Sequence, residues 1–253
     1  MQSNLSEQGF RETSSNQIRL EAITKLLEEC RQNKVDLLLL PAGALTASSE
    51  KNIRILVNNL DELASDHKTN IIGGIDLENC IKASNTKNSQ DYDLRVKKGT
   101  LPFFGFSVGK NIENHSGRIW RQRHTTSYNS VFSEIIGGKC LKLKNIKIGV
   151  FMCGELFGST VKEKIATDKP DLIVNIGHLN MNRVITSLRS AISRIPSLKR
   201  QPNPALHTHH LTNWKTTSLL GVSGNGESTS EKISPENMVR IKNFWAAYRI
   251  NQI

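Results

Sequence analysis

The stretch Ile146-Lys147-Ile148-Gly149-Val150-Phe151-Met152-Cys153-Gly154-Glu155-Leu156-Phe157 decides how this chain is interpreted. Its first seven residues are rich in β-branched and apolar side chains, which predicts a buried strand. Cys153 stands where that strand stops, and Gly154 begins a turn. A strand ending in a sharp turn can hold a nucleophile out of its sheet. A buried thiol can also be ordinary core, so this segment alone leaves both interpretations open.

The length of 253 residues favours one large domain. We predict a polar segment over residues 1–16 and a single domain over residues 17–253. The longest aliphatic run, Leu37 to Leu40, is far shorter than the roughly 20 apolar residues that cross a bilayer. The polar N-terminus offers no apolar signal region, so no membrane association is predicted. Four widely spaced cysteines favour reduced thiols and a cytoplasmic location.

The net charge of +11 is unevenly distributed. Residues 1–80 hold 8 basic and 12 acidic residues, whereas residues 81–253 hold 26 basic and 11 acidic residues. This asymmetry is typical of a surface that meets nucleic acid or another polyanion. It is equally compatible with an ordinary solvated surface, and aromatic residues, at 6%, offer few platforms for base stacking.

Strand-like and helix-like segments alternate along the chain, which predicts an α/β fold. Asn16 is the predicted cap of the first helix, and Ser234 and Pro235 begin the last one. Predicted helices cover 17–32, 50–66, 161–167, 182–195 and 235–249. Predicted strands cover 35–40, 70–76, 101–108, 117–124, 140–143, 146–152, 171–176 and 219–223.

Three landmarks follow one another in a characteristic order. The first is a strand ending in Leu40-Pro41-Ala42-Gly43-Ala44-Leu45-Thr46, and the second is the basic strand Ile119-Trp120-Arg121-Gln122-Arg123-His124. The third is the strand into Cys153-Gly154-Glu155, after which comes Pro170-Asp171-Leu172-Ile173-Val174-Asn175. This order resembles the carbon–nitrogen hydrolase (nitrilase/amidase) superfamily over approximately residues 17–226.

The resemblance implies an α-β-β-α sandwich of two mixed sheets flanked by helices. It also implies thiol attack on an amide or nitrile carbon, no cofactor and no metal, and a homodimer formed through helix faces. One departure concerns the start of the domain. The family begins with an apolar strand, and no such strand precedes residue 17, which leaves a sheet edge to be covered.

The catalytic positions that the resemblance implies are only partly kept. Cys153 and Glu155 match the nucleophile motif. The glutamate that serves the family as general base is replaced by Ala42, and its oxyanion lysine is replaced by Gln122. A further family glutamate matches only Glu134. Since losing a general base costs about 10²–10⁴ in rate and losing an oxyanion donor about 10²–10³, activity requires replacements.

Several side chains are candidates for those replacements or for substrate binding. His124 and Glu134 could act as the base. Arg121 and Arg123 could face the oxyanion, although neighbours of position 122 on a strand point to the opposite face. The predicted substrate-binding residues are Glu155, Gln122, His124 and Asn225. A structural ion pair is the alternative role of Glu155.

The cluster His207-Thr208-His209-His210 resembles a metal site at first sight. Basic Lys199 and Arg200 lie nearby and repel cations, and no cysteine or carboxylate stands at ligand spacing, so no metal site is predicted.

Two functions from different classes therefore remain open. The chain is either a cysteine-dependent carbon–nitrogen hydrolase acting on an amide-like small molecule, with a rebuilt acid–base set, or a catalytically silent protein of the same fold. The silent protein would use its basic C-terminal two-thirds to bind a polyanion or a protein partner.

Overall fold

Two β-sheets face each other in the computed structural model of the chain. The structure describes residues 13–77, 103–113, 118–122, 139–179, 183–200, 204–210, 217–222, 238–241 and 245–248. The helices are α1 (Thr13–Gln32), α2 (Glu50–Asp66), α3 (Ser159–Thr167) and α4 (Val184–Ile192). Among the described helices, none is long and apolar enough to cross a membrane.

The strands of the first half are β1 (Leu37–Leu39), β2 (Leu45–Ala47), β3 (Asn70–Leu77), β4 (Phe103–Val108), β5 (Ile112–Glu113) and β6 (Ile119–Arg121). Those of the second half are β7 (Lys139–Leu143), β8 (Ile146–Met152), β9 (Leu172–Leu179), β10 (Ala205–His210), β11 (Thr217–Val222), β12 (Met238–Ile241) and β13 (Trp245–Tyr248).

Each sheet mixes parallel and antiparallel pairs. Sheet A has the strand order β12-β13-β1-β3-β4-β6, with β2 also paired to β3. Sheet B has the order β11-β10-β9-β8-β7-β5. The pairs β1–β3, β8–β9 and β9–β10 are parallel. The carboxyl ends of β8 and β9 therefore lie side by side at one end of sheet B, where ligands of parallel sheets usually bind.

Three apolar layers hold the sheets and helices together. Residues of α1 and α2, such as Leu27 and Leu60, pack on the outer face of sheet A. Residues of α3 and α4, such as Val161 and Leu188, pack on the outer face of sheet B. The third layer lies between the inner faces of the two sheets. The predicted α-β-β-α sandwich is therefore confirmed.

The first helix begins four residues earlier than predicted. It starts at Thr13, and Asn16 lies inside it instead of capping it. The Asn16 side chain is used elsewhere, because its Nδ2 donates to the Thr46 carbonyl at 2.6 Å and its Oδ1 accepts from the Thr46 N–H at 3.1 Å. A tertiary contact with β2 thus replaces the local capping bond.

The predicted helix over 235–249 is wrong. This segment contains β12 and β13, which pair as an antiparallel hairpin, and β13 also pairs with β1 through the register Leu38↔Ala247. The hairpin therefore covers the edge of β1 that faces away from β3. Backbone hydrogen bonds to that edge outweigh the helical pattern of the sequence, because an open buried edge leaves polar groups unpaired.

Candidate active site

Cys153 lies at the start of the turn that follows β8. It is the first residue of a 3-10 turn, Cys153–Phe157, and it has a φ of 44°, which a non-glycine residue seldom adopts. The fully buried Glu155 holds this turn, since its Oε2 accepts a hydrogen bond from the Met152 N–H at 3.0 Å. Strained backbone of this kind clusters at functional sites. The predicted role of Glu155 in substrate binding stays a prediction.

His178 and Asp76 complete a polar group around this cysteine. His178 belongs to β9, whose residues Val174 and Ile176 face the layer between the sheets. Because side chains alternate along a strand, His178 faces the same layer. Asp76 occupies the equivalent place in sheet A, two positions beyond Gly74 and four beyond the inward-facing Ile72. The Nε2 of His178 lies 2.9 Å from Oδ2 of Asp76.

The thiol of Cys153 and the imidazole of His178 lie close enough to perturb one another's protonation. Burial raises the pKa of the Cys153 thiol, but the hydrogen bonds and charge of His178 lower it by more, so that the net pKa falls below its ordinary value. Burial lowers the pKa of His178, but the charge and hydrogen bond of Asp76, and then those of Cys153, raise it well above its ordinary value. The two shifts favour a thiolate–imidazolium pair.

One further contact touches the imidazole, and two others hold the backbone of the residue before it. The ring of Phe103 meets it edge-on, with centroids 4.6 Å apart. The preceding residue, Gly177, accepts a hydrogen bond at its carbonyl from the Ala42 N–H at 3.2 Å. Gly177 also lacks room for a side chain, because an added Cβ would lie 2.6 Å from Cε1 of His207. The imidazole is therefore held by both sheets.

The two motif positions predicted to be altered lie on the backbone beside residues of this site. The Ala42 N–H bonds to Gly177, and the N–H of the buried Gln122 donates to the Phe103 carbonyl at 2.9 Å. Arg121 points to the outer face of sheet A, as strand alternation predicts, where it pairs with Glu50 and lies over the Phe104 ring. It does not reach the site.

The remaining predicted residues cannot be placed. Arg123, His124, Glu134 and Asn225 all lie outside the described residues, so their suggested roles stay predictions. Within the part of the chain that the structure describes, no group of three or more His, Cys, Asp or Glu side chains could hold a metal ion.

Arg19 adds a cation near the carboxylate of Asp76. Its Nη1 donates to the Ala44 carbonyl at 3.2 Å. Burial lowers the pKa of Arg19 to about 10, although the negative charge of Asp76 opposes this shift. The carboxylate of Asp76 therefore binds the imidazole directly and also acts electrostatically on the Arg19 guanidinium.

Sequence reasoning missed both His178 and Asp76. A usable signal existed in the alternation, because each residue is the single ionisable group on the inward face of its strand and stands at the end of that strand. The predicted strands also stopped at residues 176 and 76, whereas β9 and β3 continue to Leu179 and Leu77.

Solved structures that resemble the whole sandwich include amidases. One match is an amidase from Nesterenkonia sp. AN1, in a glutamate-to-glutamine variant that shows Michael addition of acrylamide at its active-site cysteine. It has a TM-score of 0.56 and 9% identity, and the match covers 93% of this chain and 88% of that one. A cysteine-to-serine variant, described as an amidase from the nitrilase superfamily, has a TM-score of 0.55 and 9% identity, with 93% and 86% covered.

This chain has the nitrilase fold. A cysteine-to-alanine variant of the same Nesterenkonia amidase, in complex with butyramide, is also similar, with a TM-score of 0.54, 9% identity and coverage of 92% and 84%. No protein-family model matches the chain, and no curated protein matches it significantly in sequence. The predicted resemblance is thus confirmed for the fold, which the nitrilase-superfamily amidases share at very low sequence identity.

Proposed function

We propose that the protein hydrolyses amide-type carbon–nitrogen bonds, with Cys153 as nucleophile, His178 as acid–base group and Asp76 as the residue that orients His178. One observation carries this proposal: the His178 imidazole lies 2.9 Å from Asp76 and beside the Cys153 thiol, whose pKa its hydrogen bonds and charge lower. A nucleophile bound to a base that a carboxylate orients is the arrangement of a catalytic triad.

The proposed triad replaces what the motif positions lack. Ala42 cannot accept a proton, but the thiolate–imidazolium pair already supplies a deprotonated sulfur without a separate base. The same imidazolium can protonate a leaving nitrogen, which a carboxylate base would otherwise do. The impairment inferred from Ala42 alone is therefore offset by His178.

The reaction would proceed in two stages. The Cys153 thiolate attacks the carbonyl carbon, a C–S bond forms, and the carbonyl π electrons move to oxygen. The His178 imidazolium then gives its proton to the nitrogen, the C–N bond breaks, and an amine or ammonia leaves a thioester. Water attacks the thioester while His178 takes its proton. The C–S bond breaks, the carboxylic acid departs, and the thiolate–imidazolium pair is restored.

Short saturated amides such as butyramide and propionamide test this proposal directly. Ammonia release and a thioester mass on Cys153 are expected from the wild type. We expect Cys153→Ala to abolish turnover, and Asp76→Asn to reduce it by orders of magnitude, since loss of acid–base function costs about 10²–10⁴. Cys140→Ala is the matched control and should retain activity. Equal activity in Cys153→Ala and the wild type would rule the proposal out.

The alternative function, binding of a polyanion or a protein partner, rests on the charge of residues 81–253 alone. It stays a prediction, as do the homodimer, the cytoplasmic location and the domain boundary at residue 17. Retention on heparin that weakens with salt would support the polyanion version.

A further inference from the structure

We propose that Lys139 and Trp120 together form the oxyanion-binding group of this site and so supply what Gln122 cannot. The inference rests on the proposed function, because it concerns the oxygen of an amide attacked by Cys153. It assigns catalytic roles to a lysine on a different strand and to an indole N–H.

Lys139 enters the layer between the sheets at the end where the nucleophile lies. It is the first residue of β7, and it shares a strand face with Leu141 and Leu143, which belong to the inter-sheet layer. Its register partner is Val150 of β8, three residues before Cys153. The half-buried side chain reaches inward, and its Nζ lies 5.6 Å from the centroid of the Trp120 ring. A lysine cation is thereby placed inside the sandwich.

Trp120 brings a hydrogen-bond donor to the same place. Its side chain is buried in the inter-sheet layer, together with Met152, the residue before Cys153. Its indole lies on Gly105 of β4, where an added Cβ would stand 2.4 Å from the Trp120 Cε2. Among the described residues, nothing accepts a hydrogen bond from its buried Nε1. A buried donor without an acceptor is costly, so this N–H favours an oxygen ligand.

The pair is connected to His178 through β4. The ring of Phe103 contacts the imidazole, and the Trp120 indole packs on Gly105. Phe103 and Gly105 stand two residues apart on the same inner face of β4. Two residues along a strand correspond to about 7 Å. Gln122, which follows β6, is the neighbour of Phe103 across the β4–β6 strand pair, since its N–H donates to the Phe103 carbonyl. The lysine of β7 and the indole of β6 thus flank the position at which the family would place its oxyanion lysine.

The electrostatics favour an anionic oxygen over water. Burial, and then the charge of Lys164, lowers the pKa of Lys139, because the ammonium is poorly hydrated and close to a second cation. A nearby negative charge relieves both effects. The ammonium and the indole N–H therefore gain most when the carbonyl oxygen becomes an oxyanion, which is the condition for lowering a barrier. The oxygen receives the electron pair while both donors keep their protons.

An aldehyde that adds reversibly to Cys153 tests this inference without requiring turnover. Propionaldehyde adds across its C=O bond and gives a tetrahedral adduct with an anionic or hydroxyl oxygen, whereas alkylation by iodoacetamide creates no such oxygen. Protection of Cys153 by propionaldehyde against iodoacetamide therefore measures stabilisation of that oxygen. We expect Lys139→Met and Trp120→Phe each to weaken protection by about 10²-fold, in line with the loss of one oxyanion donor.

The alkylation rate without aldehyde is the control for folding and for the thiolate. The protection of each variant is expressed relative to its own rate without aldehyde, and Lys139→Arg should retain most of the protection. If neither variant weakens protection relative to its own alkylation rate without aldehyde, Lys139 and Trp120 are not oxyanion donors. Wild-type protein that propionaldehyde fails to protect would overturn the inference as well.

The outcome can be separated from that of the proposed function. If aldehyde protection depends on Lys139 and Trp120 but no amide is hydrolysed, the oxyanion group stands and the hydrolase proposal fails. If amides are hydrolysed and protection is indifferent to both residues, the hydrolase proposal stands and this inference fails.

Discussion

The Nε2 atom of His178 lies 2.9 Å from Oδ2 of Asp76, and the two residues belong to different sheets of the sandwich. Their contact crosses the inter-sheet layer at the end where Cys153 leaves β8. The geometry of the candidate site therefore depends on how the sheets pack, and a change that shifts one sheet against the other should disturb the chemistry.

Iodoacetamide should label Cys153 ahead of the other described cysteines. Burial raises the pKa of Cys30 and of Cys140 to about 12, whereas His178 makes Cys153 a better thiolate. Peptide mapping after brief treatment at neutral pH, in a Cys80→Ser background, gives the order of labelling. Labelling of Cys140 as fast as Cys153 would contradict the thiolate–imidazolium pair.

The pH profile of Cys153 should reflect both pKa shifts. The pKa of the thiol is lowered, so the alkylation rate should reach half its maximum below the value of about 8.5 typical of free cysteine. The pKa of His178 is raised, so amide hydrolysis should decline only well above the value of about 6.5 typical of imidazole.

Asp76→Asn tests what sets the decline of amide hydrolysis at high pH. It removes the charge that raises the pKa of His178, so the decline of hydrolysis should move to lower pH. A decline that stays in place would show that Asp76 does not set the protonation of His178.

Stability should depend on the protonation of His178 when the thiol is absent. A histidine with a raised pKa in the folded state contributes stability that is present below about pH 6.5 and is lost as the pH rises through the folded pKa. We expect the free energy of unfolding of Cys153→Ala to fall between pH 6.5 and 8, by at most about 1.4 kcal/mol per pH unit. Urea titrations at each pH provide the measurement.

The Cys153→Ala/Asp76→Asn double variant provides the reference for this fall. Without the carboxylate charge, the pKa of His178 loses its main upward influence, so the curve should be nearly flat over the same range. Cys30 and Cys140 remain in both variants and cancel in the comparison. Parallel curves for the single and the double variant would contradict the predicted linkage.

Two glycines of sheet A allow the inner and outer layers to be tested separately. An alanine at Gly105 would press on the Trp120 indole, with its Cβ 2.4 Å from Cε2, in the inner layer. An alanine at Gly73 would lie 2.8 Å from the Leu40 Cβ in the outer layer. Both variants should lose about 1–3 kcal/mol of unfolding free energy by overpacking.

Only Gly105→Ala should also weaken the protection of Cys153 by propionaldehyde, because it alone displaces the indole. Urea unfolding and the aldehyde assay measure the two effects. Equal loss of protection in Gly73→Ala would show that the assay responds to general destabilisation.

Removal of residues 238–253 should expose the edge of β1. The deleted hairpin supplies the antiparallel partner of Leu37–Leu39, and an unpaired strand edge promotes association. Light scattering should show higher oligomers or aggregates. Deletion of residues 250–253 leaves the hairpin intact and is the control; a shorter chain that stays as soluble as the control would contradict the role of the hairpin.

The sequence by itself determined the elements whose signals are local. The apolar run before Cys153 and the amphipathic pattern of residues 50–66 predicted strands and helices, because side-chain periodicity is encoded in neighbouring residues. The sandwich, and Ala42 and Gln122 as altered motif positions, were implied by the resemblance that the order of the motifs carries.

Only the tertiary structure decided which groups meet. Asp76 and His178 are 102 residues apart, and their pairing follows from the alignment of two sheets, which local sequence does not encode. For the same reason, Met238–Ile241 and Trp245–Tyr248 form paired strands, the second of them against β1, instead of the predicted helix. The sequence therefore predicted Cys153 as the candidate nucleophile, whereas packing across the sheets brought the imidazole and carboxylate beside it.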